Sequence, residues 1–386
     1  MKNIKLMNKI AKVGTDIFDR SVYEVGDSVD APVAMMVRSA ALHDLEFNSE
    51  LLAIARCGAG VNNIPVDRCA DEGIVVFNTP GANANGVKEL TIAALMLASR
   101  NIVGGVNWAT SLKGSEGIAK QVEAGKSKFA GGEIAGKSLG VIGLGAIGGM
   151  VANAACALGM EVYGCDPFLT VNAAWNLSSS IKHASSFEEI FKTCDYISLH
   201  VPATKDTKGM INKDTLAMMK DGVKIVNLAR ADLVNSDDIK AAIADGKVSS
   251  YVVDFPTDDT VGVDGIVTIP HLGASTAESE DNCAVMAAKQ LVDFLEKGNI
   301  VNSVNYPNVS LPHTADNRIC VMHKNIPGVI ANLTTVLSDN KLNIENMANG
   351  SKGDYAYTII EVNGNLPAEV LGAIGALEGV IKAFSL

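Results

Sequence analysis

Three apolar runs in the second half of the chain each end in a group that could do chemistry. Arg230 follows Val226-Asn227-Leu228-Ala229. The acids Asp254, Asp258 and Asp259 follow Tyr251-Val252-Val253, and His271 follows Ile269-Pro270. A guanidinium stays charged and offers a planar fork of donors, which suits a bidentate grip on a carboxylate. An imidazole, with an ordinary pKa of about 6.5, can exchange a proton with a hydroxyl near neutral pH. A carboxylate behind it would fix its orientation and favour its protonated form. Taken singly, these residues read equally well as a surface ion pair, loop acids and a packed histidine. Arginine, acid and histidine in order, each after a strand, point instead to a shared site.

A further apolar run, 139–143, turns on glycine into a helix-period segment. Gly143, Gly145 and Gly148 there fit G-x-G-x-x-G. The first glycine permits a tight turn, the second lets backbone N–H groups approach a pyrophosphate, and the third lets helix and strand pack closely. The phosphates would sit at the helix N-terminus, where unpaired N–H groups and the dipole favour negative charge. The next run, 160–165, ends in Asp166, 21 residues after Gly145. That spacing suits the carboxylate that binds the adenosine ribose hydroxyls. It would repel a 2′-phosphate, so NAD is expected rather than NADP.

Such groups meet only where parallel strands bring their carboxyl ends to one edge. Strands are predicted over 33–37, 52–56, 75–78, 139–143, 161–164, 196–200, 224–227 and 251–253, with helices between them over 87–100, 146–158 and 236–245. This alternation argues for parallel sheets in an α/β protein, in two systems. A long helix over 277–296 would return the chain to the first system. A stretch rich in Asn, Ser and Thr with Pro307 and Pro312 reads as a linker. The last 70 or so residues follow the β-α-β-β-α-β order. The expected fold class is therefore α/β, with two doubly wound parallel-sheet (Rossmann-like) domains and a C-terminal ferredoxin-like βαββαβ domain. The expected boundaries are a first domain over 1–97 completed by 281–304, a dinucleotide domain over 98–280, a linker over 305–316 and a terminal domain over 317–386.

Composition bounds the partners. At 386 residues and 48% apolar content, the chain can bury more than one core. A net charge of −11 disfavours nucleic acid and anionic membranes. Seven cysteines with no C-x-x-C pair read as reduced thiols of a cytoplasmic protein, and no metal site is expected. The most apolar stretch, 90–98, falls far short of a membrane span.

Four segments in order, the Gly-Leu-Gly-Ala-Ile-Gly of 143–148, Leu199-His200-Val201-Pro202-Ala203-Thr204, Asn227-Leu228-Ala229-Arg230 and Pro270-His271-Leu272-Gly273-Ala274-Ser275-Thr276, resemble the NAD-dependent D-2-hydroxyacid dehydrogenases. The resemblance spans nearly the whole chain. It implies Arg230 for the substrate carboxylate and carbonyl and His271 as acid/base. It implies cofactor contacts from Gly143, Gly145, Ala146, Ile147, Gly148, Asp166, His200, Val201, Pro202, Ala229, Arg230, Asp254, His271, Gly273 and Ala274. The family's histidine partner is a glutamate in Asp-Val-Phe-x-x-Glu-Pro. Here the run is Asp254-Phe255-Pro256-Thr257-Asp258-Asp259, one residue shorter and with aspartate. Asp258 is the best match, with Asp259 as the other candidate. Arg230 is followed by Ala231 where the family usually has glycine.

In the first domain, Arg38, Ser39, Gly58, Ala59, Gly60 and Asn83 resemble the family's substrate side, which makes Arg38 a candidate for a substrate phosphate. The chain is most similar to family members that oxidise D-3-phosphoglycerate to 3-phosphohydroxypyruvate, the first step of L-serine synthesis. The alternatives are another D-2-hydroxy acid, such as 2-hydroxyglutarate, and a non-enzymatic NAD- or serine-sensing protein. The tail resembles an ACT domain, in which His323, Asn325 and Asn343 match residues that hold L-serine across a subunit contact. A homodimer or homotetramer is expected on the same ground.

Overall fold

A computed structural model describes all 386 residues. The chain forms two compact units, 1–82 with 280–386, and 83–279. The second unit therefore begins at 83, earlier than the expected boundary at 98. The reason is the helix Ala84–Ser99, whose Val87, Ala94, Leu95 and Ala98 share one core with Leu139, Val141, Ala152, Val226 and Val252.

In the first unit, β1 (Lys2–Leu6), β2 (Tyr23–Gly26), β3 (Ala34–Val37), β4 (Ala53–Arg56) and β5 (Val75–Phe77) form a parallel sheet in the order β2-β1-β3-β4-β5. Every residue of β3 and β5 is buried, as expected of strands covered on both faces.

The second unit holds β6 (Ser138–Ile142), β7 (Glu161–Cys165), β8 (Lys182–His183), β9 (Tyr196–Leu199), β10 (Val223–Asn227), β11 (Val248–Val253) and β12 (Ile266–Thr268). Their order is β12-β11-β10-β9-β6-β7-β8, all parallel. The order in which strands are added reverses between β6 and β9, and that switch point is where a doubly wound sheet opens a crevice at its carboxyl edge. Its helices are capped locally. Asn235, for example, accepts from the Asp237 and Asp238 N–H groups, and those two acids lie in the first turn, where the dipole favours them.

The tail adds β13 (Asn317–Lys324), β14 (Ile344–Lys352), β15 (Tyr355–Val362) and β16 (Val380–Ser385), antiparallel in the order β14-β15-β13-β16 with two helices. It packs into the first unit rather than hanging from a linker. Cys320, Met322, Tyr357 and Ile359 share a core with Ala284, Ala287, Leu291 and Phe294. The expected linker is itself part of this packing. Tyr306 is fully buried and donates to the Ala70 carbonyl at 2.7 Å, and Val309 is buried beside it. Prolines and asparagines signal an irregular backbone, and they say little about whether that backbone is covered.

A fully buried ion pair ties these parts together. Arg318 donates to Glu361 at 2.7 Å, to the Leu311 carbonyl at 2.9 Å and to the Lys297 carbonyl. Burial works to raise the Glu361 carboxyl. Arg318, the Thr314 N–H and hydroxyl, and Asn346 outweigh it, and the group falls from 4.5 to about 2. A depressed carboxylate stabilises the folded state above its unfolded pKa, and this contribution is lost as pH falls through the folded pKa. The first unit should therefore lose stability between pH 4.5 and about 2. At neutral pH, Arg318→Met should cost about 3–5 kcal/mol by stranding Glu361. Arg318→Met with Glu361→Leu should recover only part of this, because the Lys297 and Leu311 carbonyls still lack a donor. Urea titrations of the three proteins at two pH values check this, and a neutral Arg318→Met would refute it.

No single helix is long and apolar enough to cross a membrane. All seven cysteines are free.

Candidate active site

The glycines of the second unit act through close approach. Gly143 has φ 89°, and a Cβ there would lie 2.6 Å from the His200 carbonyl oxygen. A Cβ on Gly148 would lie 1.9 Å from the Gly143 oxygen. Gly145 is different, because a Cβ there would meet nothing within 4 Å. The space over Gly145 is open, at the N-terminus of the helix Ala146–Ala157. The first bond of that helix runs from Gly149 N to Gly145 O at 3.0 Å. The N–H groups of Ala146, Ile147 and Gly148 thus have no partner within the helix and suit an anionic group.

Asp166 stands at the end of β7, half-buried. One oxygen accepts from Leu144 N and the other from Phe168 N, both at 2.9 Å. Those bonds aim the carboxylate and leave lone pairs for ribose hydroxyls. The residues present fit a pyrophosphate and an unphosphorylated ribose. His200 contributes from beneath. Its ring Nε2 bonds the Ser198 hydroxyl at 2.8 Å, and burial lowers its pKa to about 4, so it stays neutral. Its imidazole supports the turn rather than offering a charge.

Arg230 and His271 follow β10 and β12. Asn227, fully buried, builds a shelf for the arginine: its side-chain oxygen accepts from Ala229 N and Arg230 N, and its amide donates to the Arg230 carbonyl at 2.8 Å. Tyr251 accepts a second bond from that amide at 3.2 Å. The guanidinium itself is exposed and rests on the Ala229 carbonyl at 2.7 Å. His271 is exposed and has φ 52°, a left-handed backbone uncommon for residues other than glycine. Asp254 explains how this is held. It is 1% exposed, and its two oxygens accept from Leu272 N at 2.8 Å and Gly273 N at 2.9 Å.

Two expectations change here. Asp254, anticipated as a cofactor contact, binds the loop of His271 with both oxygens. Neither acid candidate partners the histidine. Asp258 is exposed and makes no hydrogen bond, and Asp259 points toward Lys240 at 4.0 Å. Both acids face solvent, and the ring next to His271 is that of Phe255.

In the first unit, Arg38 directly follows β3 and pairs with Glu280 at 2.7 Å. Its backbone N–H and those of Ser39 and Ala40 all donate to the Asn8 side chain. The half-buried Arg56, which sequence reasoning passed over, donates to the Arg38 carbonyl at 3.1 Å. Burial lowers its pKa, and the charge of Arg38 acts in the same direction. Its guanidinium occupies the space that a side chain on Gly58 (φ 150°) would take, 1.5 Å from that Cβ position. Asn78 donates to the Ala59 carbonyl at 2.7 Å and braces the 58–60 turn. Asn83 belongs to the second unit, at the start of the helix Ala84–Ser99.

In the tail, the trio expected to hold serine is dispersed within one chain. His323 is 3% exposed, and its ring nitrogens bond the Lys324 carbonyl and the Thr358 hydroxyl. Burial lowers its pKa, so it is not a ready cation. Asn325 donates to Gly353 O at 3.1 Å, beyond the Lys324↔Tyr355 end of the sheet. Asn343 precedes the Ile344↔Val362 pair at the opposite end, beside Thr334, Ser338 and Lys341. The 8 residues of β13 separate the two asparagines, about 25 Å at strand rise.

Comparison with known proteins gives the family. Residues 93–273 match the model of the D-isomer specific 2-hydroxyacid dehydrogenase NAD binding domain, and residues 319–382 match an AHAS small subunit-like ACT domain. A D-3-phosphoglycerate dehydrogenase of Haemophilus influenzae is 30% identical over 351 residues, 88% of this chain and 82% of that protein. The chain belongs to the D-isomer specific 2-hydroxyacid dehydrogenase family. It is an NAD-dependent dehydrogenase. A Bacillus subtilis D-3-phosphoglycerate dehydrogenase is 32% identical over 317 residues, and the matched part spans 58% of that relative's length. Among solved structures, an NAD+-bound 3-phosphoglycerate dehydrogenase of Entamoeba histolytica superposes with a TM-score of 0.61 at 26% identity, over 79% of this chain and 98% of that one. The open surface over Gly145 and the aimed Asp166 are where such a dehydrogenase would hold its cofactor.

Proposed function

We propose that this dehydrogenase oxidises D-3-phosphoglycerate to 3-phosphohydroxypyruvate, the step that opens L-serine synthesis. The observation that carries the reading is the strand-end pair Arg230 and His271, in a chain 30% identical over 88% of its length to a D-3-phosphoglycerate dehydrogenase. Bound NAD supplies a hydride acceptor for C2 of the substrate. Arg230 leaves the Ala229 carbonyl, grips the substrate carboxylate through its fork, and offsets negative charge on the reacting oxygen. The C2 hydroxyl proton passes to an imidazole nitrogen of His271. Asp166 selects against a 2′-phosphate on the cofactor by charge.

Arg38 is assigned to the 3-phosphate. Its pairing with Glu280 at 2.7 Å means that a phosphate must compete with one exposed carboxylate. Arg38→Ala should therefore raise KM for phosphoglycerate by about tenfold or more, because a charge-assisted bond contributes roughly 1.5–3 kcal/mol. KM for an unphosphorylated 2-hydroxy acid should barely move. An equal loss on both substrates would remove Arg38 from the phosphate, and a wild-type preference for the unphosphorylated acid would overturn the substrate assignment.

The protein works as a homo-oligomer in the cytoplasm. The helix Ile102–Ser111 supports the first statement: it buries none of its residues while exposing Ile102, Val103 and Val106. The free thiols support the second. L-Serine regulates through the tail. Since Asn325 and Asn343 lie at opposite ends of one sheet, a serine site using both needs two copies of the chain.

A further inference from the structure

Phe255 lies beside both groups to which the reaction is assigned. Its ring centroid lies 4.6 Å from that of His271, with the planes tilted by 47°. The Arg230 guanidinium carbon lies 5.9 Å from the same centroid. Phe255 directly follows Asp254, whose carboxylate holds the peptides after His271. It is half-buried and packs on the core that includes Leu233, Val234, Tyr251 and Val253. One side of the ring is thus anchored on the sheet, and the ring still reaches both functional side chains. The residue pair 254–255 accordingly holds the histidine at two points, backbone and ring.

We propose that Phe255 is a positioning residue of this site: its ring sets the imidazole of His271 and the guanidinium of Arg230 at their mutual spacing, a task that neither Asp258 nor Asp259 takes here. An imidazole on an exposed left-handed residue has rotamer freedom that a carboxylate would otherwise remove. A flat apolar face restricts that freedom by contact and does not hold the proton in place. The ring also favours the guanidinium near it, because the ring quadrupole attracts cations. Removing the ring should leave both side chains present but misplaced. A misplacement of about 1 Å can cost 10²-fold in rate.

This inference rests on the roles assigned to Arg230 and His271, and it holds for any 2-hydroxy acid that the enzyme turns over. The deciding variants are Phe255→Leu, which keeps apolar volume without a ring, and Phe255→Tyr, which keeps the ring. Phe255→Leu should lower kcat about 10- to 100-fold, with KM and the NAD dissociation constant within about threefold and the melting temperature nearly unchanged. Phe255→Tyr should recover most of kcat. A second readout needs no turnover. The ring protons of His271, assigned among the 6 histidines by their loss in His271→Asn, should shift in Phe255→Leu through loss of the ring current and stay near wild type in Phe255→Tyr. If wild type turns over another 2-hydroxy acid and not phosphoglycerate, the substrate assignment fails, and the same comparison is made on the acid it accepts. The proposal is overturned if Phe255→Leu keeps kcat within twofold, if the His271 resonances do not move, or if NAD affinity and thermal stability fall in step with kcat, which would make Phe255 an ordinary packing residue.

Discussion

His271→Asn should lower kcat by about 10²–10⁴, the usual contribution of a positioned acid/base, with NAD affinity and melting temperature close to wild type. Asparagine is the right replacement because it tolerates the left-handed backbone that His271 adopts at φ 52°. The loop should persist, since Asp254 bonds the peptide N–H groups of Leu272 and Gly273 and not the imidazole. The histidine is exposed, so its loss opens no cavity. Steady-state turnover beside calorimetric NAD binding separates the two effects. A variant that turns over within a few-fold of wild type would remove His271 from proton transfer.

Arg230→Lys should lower kcat/KM by about 10²–10³, comparable to deleting one donor to a developing oxyanion. Charge is conserved, so the loss isolates the planar fork that lysine lacks. The shelf beneath should survive, because Asn227 bonds the backbone of Ala229 and Arg230 and not the guanidinium. NAD affinity is expected to stay within a few-fold. Kinetics on the phosphorylated substrate and on a poor unphosphorylated one should fall together, since both carry the carboxylate. Parity with wild type would show that a point charge suffices there.

The parts legible in the sequence are those where local chemistry and spacing coincide. Gly143, Gly145, Gly148 and Asp166 announce a dinucleotide crevice because each is needed for a separate reason, and the structure gives each a distinct geometry. The βαββαβ order of the tail was likewise readable from alternating periods. Packing of that tail was not. Arg318 and Glu361 are 43 residues apart, and nothing local marks them as a buried pair. The serine trio shows the same limit, since sequence alone does not tell that Asn325 and Asn343 stand at opposite ends of the sheet. At the histidine, motif matching supplied a carboxylate partner, whereas in the structure both acids face away and Phe255 lies alongside. Arg56 was missed because an arginine closing a strand carries no signal until Gly58 is seen to make room for it.

The most direct test of the account is a substrate panel with NAD, comparing kcat/KM for D-3-phosphoglycerate, D-glycerate, D-lactate and D-2-hydroxyglutarate on the wild-type protein. The account predicts that reduced cofactor forms fastest with D-3-phosphoglycerate, by about tenfold or more over any acid lacking the phosphate. An unphosphorylated acid turned over more efficiently, or no reduced cofactor with any of the four, would contradict it.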